Sequence, residues 1–185
     1  FKNEEEKIKF VRESEISFEK RLDLASKEIV NSGVSYVLLS GPTCAGKTTT
    51  AQKIIADFKV KGKNVTVISI DDFFYDRTEK REVKHGEKID YDSVDVIDLA
   101  ALEDCINNAR PGNTIKVPIF DFISQSRIGY NEYYISDNEV LIFEGIQAVY
   151  PEITSLFKEN FRGIFIDVAE DVLLNGVLFK KQEIR

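Results

Sequence analysis

Residues 41–48 read Gly-Pro-Thr-Cys-Ala-Gly-Lys-Thr, the complete G-x-x-x-x-G-K-[ST] pattern of a phosphate-binding loop. Gly41 and Gly46 let the backbone approach phosphate oxygens closely enough for its N–H groups to bind them. Lys47 adds a positive charge for the β- and γ-phosphates, and the Thr48 hydroxyl is a ligand for Mg²⁺. The stretch therefore predicts a nucleoside triphosphate site, with ATP and Mg²⁺ as the expected cofactors. The residues expected to contact the nucleotide are Gly41, Thr43, Cys44, Ala45, Gly46, Lys47, Thr48 and Thr49.

The segments on either side of the loop are those that such a loop requires. Residues 36–40 form a short apolar run with strand character, and residues 49–55 begin a helix that we expect to end near Lys61. The N-terminus of that helix then points at the bound anion. A glycine-rich turn before a helix would explain the two glycines, but it would not explain Lys47 and Thr48.

Size, charge and composition exclude several classes of protein. A chain of 185 residues can bury a sizeable core in one domain. Its net charge of -7 argues against a nucleic-acid partner, because phosphate backbones need a basic face. No apolar run reaches the length of a membrane span, and the Lys/Glu-rich N-terminus lacks a signal-peptide pattern. We therefore expect a cytoplasmic protein with free thiols at Cys44 and Cys105; whether it forms a homo-oligomer stays open.

Short apolar strands alternate with helical segments along the chain. This pattern predicts an α/β fold of the P-loop NTPase type, with three layers and a parallel sheet flanked by helices. Residues 1–33 read as an amphipathic helical lead-in, and Asn175-Gly176 between two apolar triplets predicts a small β-hairpin near the C-terminus. The chain starts at Phe1 and contains no Met, so we expect it to be trimmed at both ends.

Acidic residues end several of the predicted strands. Ligands of parallel sheets bind at the carboxyl ends of the strands, so we expect these side chains to meet there. Asp71 follows the strand after the loop helix and is the candidate general base or metal ligand. Glu144 ends a fully apolar strand and is the second acidic candidate near Mg²⁺. The strand-end carboxylates are Asp71, Asp72, Asp121, Glu144 and Asp167.

Further motifs give the chain a resemblance to a known family. They are Ile68-Ser-Ile-Asp-Asp-Phe-Phe74, Tyr91-Asp-Ser-Val-Asp95, Val117-Pro-Ile-Phe-Asp-Phe122, Ser124-Gln-Ser-Arg127 and Phe143-Glu-Gly-Ile146. Together with the phosphate loop, they occur in the order seen in the uridine kinase group of the phosphoribulokinase/uridine kinase family, which the chain resembles over about residues 34–168. The resemblance implies a P-loop kinase domain over residues 34–185 that phosphorylates a small nucleoside-like acceptor.

The resemblance also implies roles for individual residues. Asp71 matches the catalytic aspartate of the family and acts with Lys47, while Thr48 and Glu144 match its Mg²⁺-associated positions. Tyr91 and Asp92 match the segment that holds the nucleoside. The full set expected to contact the acceptor is Asp72, Tyr75, Tyr91, Asp92, Phe120, Gln125 and Arg127.

Three departures from the family pattern keep other functions open. Gln125 occupies the position where uridine kinases usually have His. Phe120 replaces the usual Tyr, and Ser93-Val94 replaces the usual His-Pro. The arginine-rich lid is not visible, although residues 180–185 could begin it. A kinase for another small alcohol, such as a phosphorylated sugar or pantothenate, is one alternative. A nucleotide-binding regulatory module that has lost turnover is the other.

Overall fold

The computed structural model describes residues 3–42, 45–76, 90–167, 172–174 and 177–179. Its helices are α1 (Glu4–Ser32), α2 (Lys47–Val60), α3 (Leu99–Asn108) and α4 (Pro151–Thr154). Its strands are β1 (Tyr36–Ser40), β2 (Asn64–Ser69), β3 (Thr114–Asp121), β4 (Ser126–Tyr134), β5 (Glu139–Glu144), β6 (Phe161–Phe165), β7 (Val172–Leu174) and β8 (Val177–Phe179). Thr43, Cys44, the Asn175-Gly176 turn and the lid candidates at 180–185 lie outside the described residues.

Four of the strands form a parallel sheet in the order β2-β5-β1-β6. The strand that leads into the phosphate loop, β1, therefore lies between β5 and β6. Helices cover the sheet, which confirms the predicted α/β fold. The strands β7 and β8 pair in antiparallel fashion, as the predicted C-terminal hairpin requires.

Alternating side chains of β1 enter two separate apolar cores, one on each face of the sheet. Val37 and Leu39 pack with Ile54 and Phe58 of α2 on one face. Leu38 belongs to the core on the other face, which includes residues of α3 and of the β3–β4 pair. Burial on both faces explains why the central strands are continuous apolar runs.

The third strand does not join the parallel sheet. Instead, β3 pairs with β4 in an antiparallel hairpin, with a register shift at Ile119 and Phe120. The prediction that Asp121 ends a strand of the parallel sheet was therefore wrong. Its carboxylate accepts hydrogen bonds within its own turn, from the Ser124 backbone N at 2.9 Å, the Ser124 hydroxyl at 2.6 Å and the Ile123 backbone N at 3.3 Å.

The N-terminal lead-in is one helix of 29 residues. Asn3 caps it by accepting a 2.8 Å hydrogen bond from the Glu6 backbone N, and Gly33 ends it in the left-handed region at φ +74°. Residues 3–17 are exposed, and Phe18 is the first partly buried residue of the helix. Neither α1 nor any other helix in the described part of the chain has the length and apolarity that crossing a membrane needs.

Candidate active site

The phosphate loop joins the carboxyl end of β1 to the first turn of α2. Gly41 has φ +149°, and a Cβ placed on it would lie 2.3 Å from the backbone O of Ile166. Gly46 has φ +97° and precedes the first residue of α2. Both positions therefore need glycine, one because another strand end packs against it and one because of its backbone conformation.

Lys47 reaches back across the loop that it follows. Its Nζ donates hydrogen bonds of 2.6 Å to the backbone O of Gly41 and 3.1 Å to that of Pro42. These bonds hold the ammonium group at the loop. Thr48 and Thr49 are exposed on the first turn of α2, so their hydroxyls are accessible to a ligand. Ala45 donates its backbone N–H to Pro42 O at 3.2 Å.

Two carboxylates meet at the same end of the sheet. Glu144, the last residue of β5, is aligned with Leu39 of β1 and Ser69 of β2. Asp71 lies two residues beyond Ser69, in a 3₁₀ segment. A Cβ placed on Gly145 would lie 3.6 Å from Asp71 Oδ1, so the Asp71 carboxylate packs close to the backbone that follows Glu144. The sheet thus brings Asp71 and Glu144 together, as predicted.

The environment of Asp71 favours its neutral form. Burial raises the pKa of this carboxyl from 3.8 to about 6, and the negative charge of Glu144 adds to the effect. The positive charge of Lys47 opposes it, while Asp72 and Asp92 contribute smaller upward shifts. The pKa of Asp71 is therefore affected by charged groups in the phosphate loop, at the end of β5 and around Asp92. A carboxylate with this pKa is a stronger base than an ordinary aspartate and is still largely ionised at neutral pH.

Asp72 holds the β3–β4 hairpin beside this edge. Its Oδ1 accepts a 3.2 Å hydrogen bond from the Phe120 backbone N, and burial raises its pKa. Among the described residues, no group of three His, Cys, Asp or Glu side chains is arranged to hold a metal ion. The Thr48 hydroxyl on the first turn of α2 and the carboxylates of Asp71 and Glu144 at the strand ends are oxygen donors on this side of the sheet.

Four aromatic rings form a wall next to Asp71 and Asp72. The ring centroids of Phe74 lie 5.2 Å from Tyr91, 5.5 Å from Phe120 and 5.9 Å from Phe122. Phe122 also contacts Tyr91 and Phe120, at 6.1 and 5.2 Å, and is 54% exposed. We call these four residues the aromatic cluster. Two of its members, Tyr91 and Phe120, are predicted acceptor residues, so the structure places them together.

The remaining predicted acceptor residues differ in accessibility. Asp92 follows Tyr91 and is exposed, with its backbone N–H bonded to Asp90 Oδ1 at 3.0 Å. Tyr75 is partly buried, and its backbone N–H donates to Val96 O at 2.9 Å. Gln125 lies in the turn between β3 and β4 with φ +55°.

Arg127 makes its contacts with the protein. Its guanidinium bonds to Asp98 Oδ2 at 3.0 Å, to Phe74 O at 3.1 Å and to Phe73 O at 3.2 Å. The Arg127 and Asp98 side chains are only 15% and 17% exposed. Because Asp98 also caps α3 by accepting from the Ala101 backbone N, Arg127 locks the hairpin onto the start of that helix.

Sequence reasoning missed Gln147. This side chain is fully buried, and its Nε2 donates a 2.6 Å hydrogen bond to the backbone O of Tyr91. Its Oε1 has no hydrogen-bond partner among the described residues, and it lies near Gly145. The signal in the sequence was a single amide inside the apolar run that follows Glu144-Gly145, three residues beyond a predicted metal ligand.

Comparison with known proteins agrees with this geometry. The profile of the phosphoribulokinase/uridine kinase family matches residues 37–181. A protein of Arabidopsis thaliana named inorganic pyrophosphatase TTM1 is 30% identical over 146 residues, which are 77% of this chain and 21% of that protein. A uridine kinase of Ureaplasma parvum is 28% identical over 138 residues, 75% of this chain and 64% of that enzyme.

A solved structure has the same fold. The structure described as a possible uridine kinase from Bacillus stearothermophilus superposes with a TM-score of 0.64 and 20% identity, covering 82% of each chain. The chain spans less than two thirds of the length of the curated relatives given above. The family profile covers most of the chain and includes the loop, Asp71, Glu144 and the aromatic cluster. The chain therefore belongs to the phosphoribulokinase/uridine kinase family.

Proposed function

We propose that this protein transfers the γ-phosphoryl group of ATP to a hydroxyl group of a small acceptor, and that the acceptor is a nucleoside. The observation that carries the proposal is the position of Asp71. Its carboxylate packs against Gly145, beside Glu144, at the strand ends that adjoin the phosphate loop. The next residue, Asp72, bonds to Phe120 of the aromatic cluster, so Asp71 adjoins both the loop proposed to bind the donor phosphates and the wall proposed to bind the acceptor.

Asp71 is the proposed general base. The acceptor oxygen would form a bond to the γ-phosphorus while the bond from that phosphorus to the β–γ bridging oxygen breaks. The hydroxyl proton would pass to the Asp71 carboxylate, and ADP would leave. Phosphoryl transfer depends mainly on positioning and on neutralising charge, so the position of this carboxylate beside the phosphate loop supports the assignment.

Thr48, Asp71 and Glu144 are the residues proposed to hold Mg²⁺. A hydroxyl and two carboxylates are oxygen donors, which this ion prefers, and it commonly takes only one or two carboxylates together with phosphate oxygens and water. Bound there, the ion would neutralise charge on the β- and γ-phosphates.

A nucleoside suits the features of the acceptor side. The exposed ring of Phe122 and the partly buried ring of Tyr91 offer a flat apolar surface for a base. The exposed Asp92 carboxylate can accept hydrogen bonds from two adjacent ribose hydroxyls. The uridine kinases among the relatives support the same class of acceptor.

A kinase for a different small alcohol is the second candidate. It is favoured by Gln125 and Phe120, which replace the His and Tyr expected at those positions in uridine kinases. Because Gln125 lies in the turn of a hairpin outside the central sheet, the acceptor side can differ from that of uridine kinases without any change in the phosphate loop.

A phosphoryl-transfer screen tests the proposal. Labelled ATP would be offered with nucleosides, phosphorylated sugars and pantothenate, using the full-length protein. Asp71→Asn and Lys47→Ala serve as negative controls. We expect labelled uridine or cytidine monophosphate, and a loss of about 10²–10⁴-fold in rate for Asp71→Asn. Labelling of a sugar or pantothenate alone would select the second candidate, and labelling of no acceptor would favour the regulatory module.

A further inference from the structure

A cavity of about 270 Å³ lies beside the phosphate loop and is lined by α1, α2 and the end of β6. One wall comes from Phe18 and Leu22 of α1, and the opposite wall comes from Phe165 and Ile166. Ligand sites for drug-sized molecules measure roughly 300–1,000 Å³, so this volume suits a part of a ligand such as a single ring system. The family profile begins at residue 37, so α1 lies outside it.

The cavity adjoins the phosphate loop. A Cβ placed on Gly46 would lie 3.8 Å from Cζ of Phe18, and one on Gly41 would meet Ile166. Thr50, three residues after Lys47, also lines the cavity. Its hydroxyl is buried and has no hydrogen-bond partner in the described part of the chain, and a ligand that supplied one would remove that cost.

The order of strands places this cavity on the side of the loop that faces away from the acceptor. Asp71 follows β2, at one edge of the sheet, whereas the cavity lies against β6 at the other edge. The loop follows β1, which lies between them. A nucleotide whose γ-phosphate faces Asp71 would therefore direct its other end toward β6.

The chemistry of the walls suits an aromatic base. Phe165 is 58% exposed although it lines a cavity, and Phe18 is the first residue of α1 that is partly covered. Aromatic side chains bind bases by stacking, and this is independent of base identity. Arg21 also lines the cavity and is exposed, so its guanidinium can stack on a base or donate hydrogen bonds.

A hydrogen bond and ion pairs with α2 fix the position of α1. Ser26 is fully buried and donates a 2.6 Å hydrogen bond to Asp57 of α2. Lys53 bridges Asp23 and Asp57 at 3.2 and 3.0 Å, so the second half of α1 is fastened to the helix that follows the phosphate loop. The wall formed by Phe18 and Leu22 is therefore held in place against the nucleotide loop.

We propose that the N-terminal helix α1 completes the nucleotide site, with Phe18 and Phe165 enclosing the base of the nucleotide whose phosphates occupy the 41–48 loop. This inference rests on the proposed function, because it requires a nucleotide in that loop. It assigns to α1 a binding role that the phosphate-loop pattern does not contain.

Binding of ATP and of inorganic tripolyphosphate, compared by calorimetry in the presence of Mg²⁺, tests the inference. Tripolyphosphate has the phosphates but no base. Phe18→Leu keeps an apolar side chain on α1 and removes the planar ring. Phe10→Leu is the matched control, because Phe10 is an exposed Phe on the same helix that does not line the cavity. Phe165→Leu tests the opposite wall independently if Phe18→Leu lowers the helical signal in circular dichroism.

We expect Phe18→Leu and Phe165→Leu to raise the Kd for ATP about tenfold, in line with the loss of one stacked ring, and to change that for tripolyphosphate by less than about twofold. Phe10→Leu should change neither. If both cavity variants bound ATP as the wild type does, or if the Kd values for ATP and tripolyphosphate rose equally, this inference would be overturned. The proposed function would not be affected by either result. If the wild-type protein bound neither compound, the proposed function would fail as well.

Discussion

Gln147 fastens the segment that contains Tyr91 to the carboxyl end of the central sheet, since its buried Nε2 donates a 2.6 Å hydrogen bond to the backbone O of Tyr91. Gln147 follows Glu144 by three residues, and Tyr91 belongs to the aromatic cluster. The bond therefore connects the strand end that carries a proposed Mg²⁺ ligand with the wall proposed to bind the acceptor. No catalytic contact is assigned to Gln147; we treat it as a positioning residue.

Gln147→Leu should weaken acceptor binding without changing nucleotide binding. Loss of one hydrogen bond of this kind is worth about 1 kcal/mol, so we expect the KM for the acceptor to rise about fivefold. The melting temperature should change little, because the substitution also removes the unpaired Oε1. Steady-state kinetics with both substrates varied would give the KM for the acceptor and the KM for ATP separately. Gln52→Leu, on the exposed face of α2, is the control. An equal rise in the KM for ATP would assign Gln147 to the nucleotide side.

Asp71→Asn should stabilise the free protein at neutral pH. The folded-state pKa of about 6 lies above the unfolded value of 3.8, so the neutral carboxyl is favoured by folding. That stability is fully present below about pH 4 and is lost as the pH rises through 6. At pH 7.5 the ionised group costs up to about 3 kcal/mol, which the neutral amide avoids.

Urea unfolding in Mg²⁺-free buffer near pH 5 and pH 7.5 would measure this effect. The advantage of Asp71→Asn over wild type should be larger at the higher pH. Asp137→Asn, in the exposed turn before β5, is the matched control for the substitution itself. A constant difference between Asp71→Asn and wild type at the two pH values would contradict the raised pKa.

Arg127→Met should destabilise the fold, whereas the resemblance to uridine kinases assigned this residue to the acceptor pocket. The substitution keeps much of the apolar stem but removes the guanidinium that donates to Asp98 Oδ2 and to the backbone carbonyls of Phe73 and Phe74. Breaking a largely buried pair in this way costs about 3 kcal/mol. Chemical denaturation would measure the loss, with Arg110→Met at an exposed position as the control. A wild-type unfolding free energy with a raised KM for the acceptor would restore the original assignment.

Gly41→Ala should disrupt both the loop and its packing. The new Cβ would lie 2.3 Å from Ile166 O, at a φ of +149°, so the loop or the end of β6 must move. We expect ATP affinity to fall at least about tenfold and stability to fall by about 2 kcal/mol. Gly33→Ala is the control, because Gly33 has a positive φ but open space around it, and its cost should be about 1 kcal/mol with no effect on ATP binding. Calorimetry and thermal melting would separate the two cases.

The elements that sequence predicted best were those with strong local signals. The phosphate loop, its flanking strand and helix, and the carboxylates Asp71 and Glu144 follow from a fixed pattern and from continuous apolar runs. The placement of β3 in the parallel sheet failed because an apolar strand does not reveal its partner. Pro118, inside β3, was a usable warning, since proline is rare in central strands.

Residues whose roles depend on distant partners could not be predicted. The contacts of Arg127 come from the 3₁₀ segment at Phe73 and from Asp98, and no local pattern joins these to the Ser-Arg motif. Gln147 gains its role from Tyr91, which is 56 residues away in the chain. The cavity beside Phe18 likewise needs α1 and β6 to meet, which neither segment shows alone.

The separation of the β3–β4 hairpin from the parallel sheet has a consequence for how such an enzyme can diversify. Within the described residues, β3 and β4 pair only with each other, and Arg127, Asp72 and the aromatic cluster attach them to the rest of the protein. Insertions or exchanges in the turn around Gln125 would leave these anchors and the four-stranded sheet in place. Changes in this hairpin, which carries Phe120 and Gln125, can therefore accumulate while the phosphate loop and the strands around it stay the same.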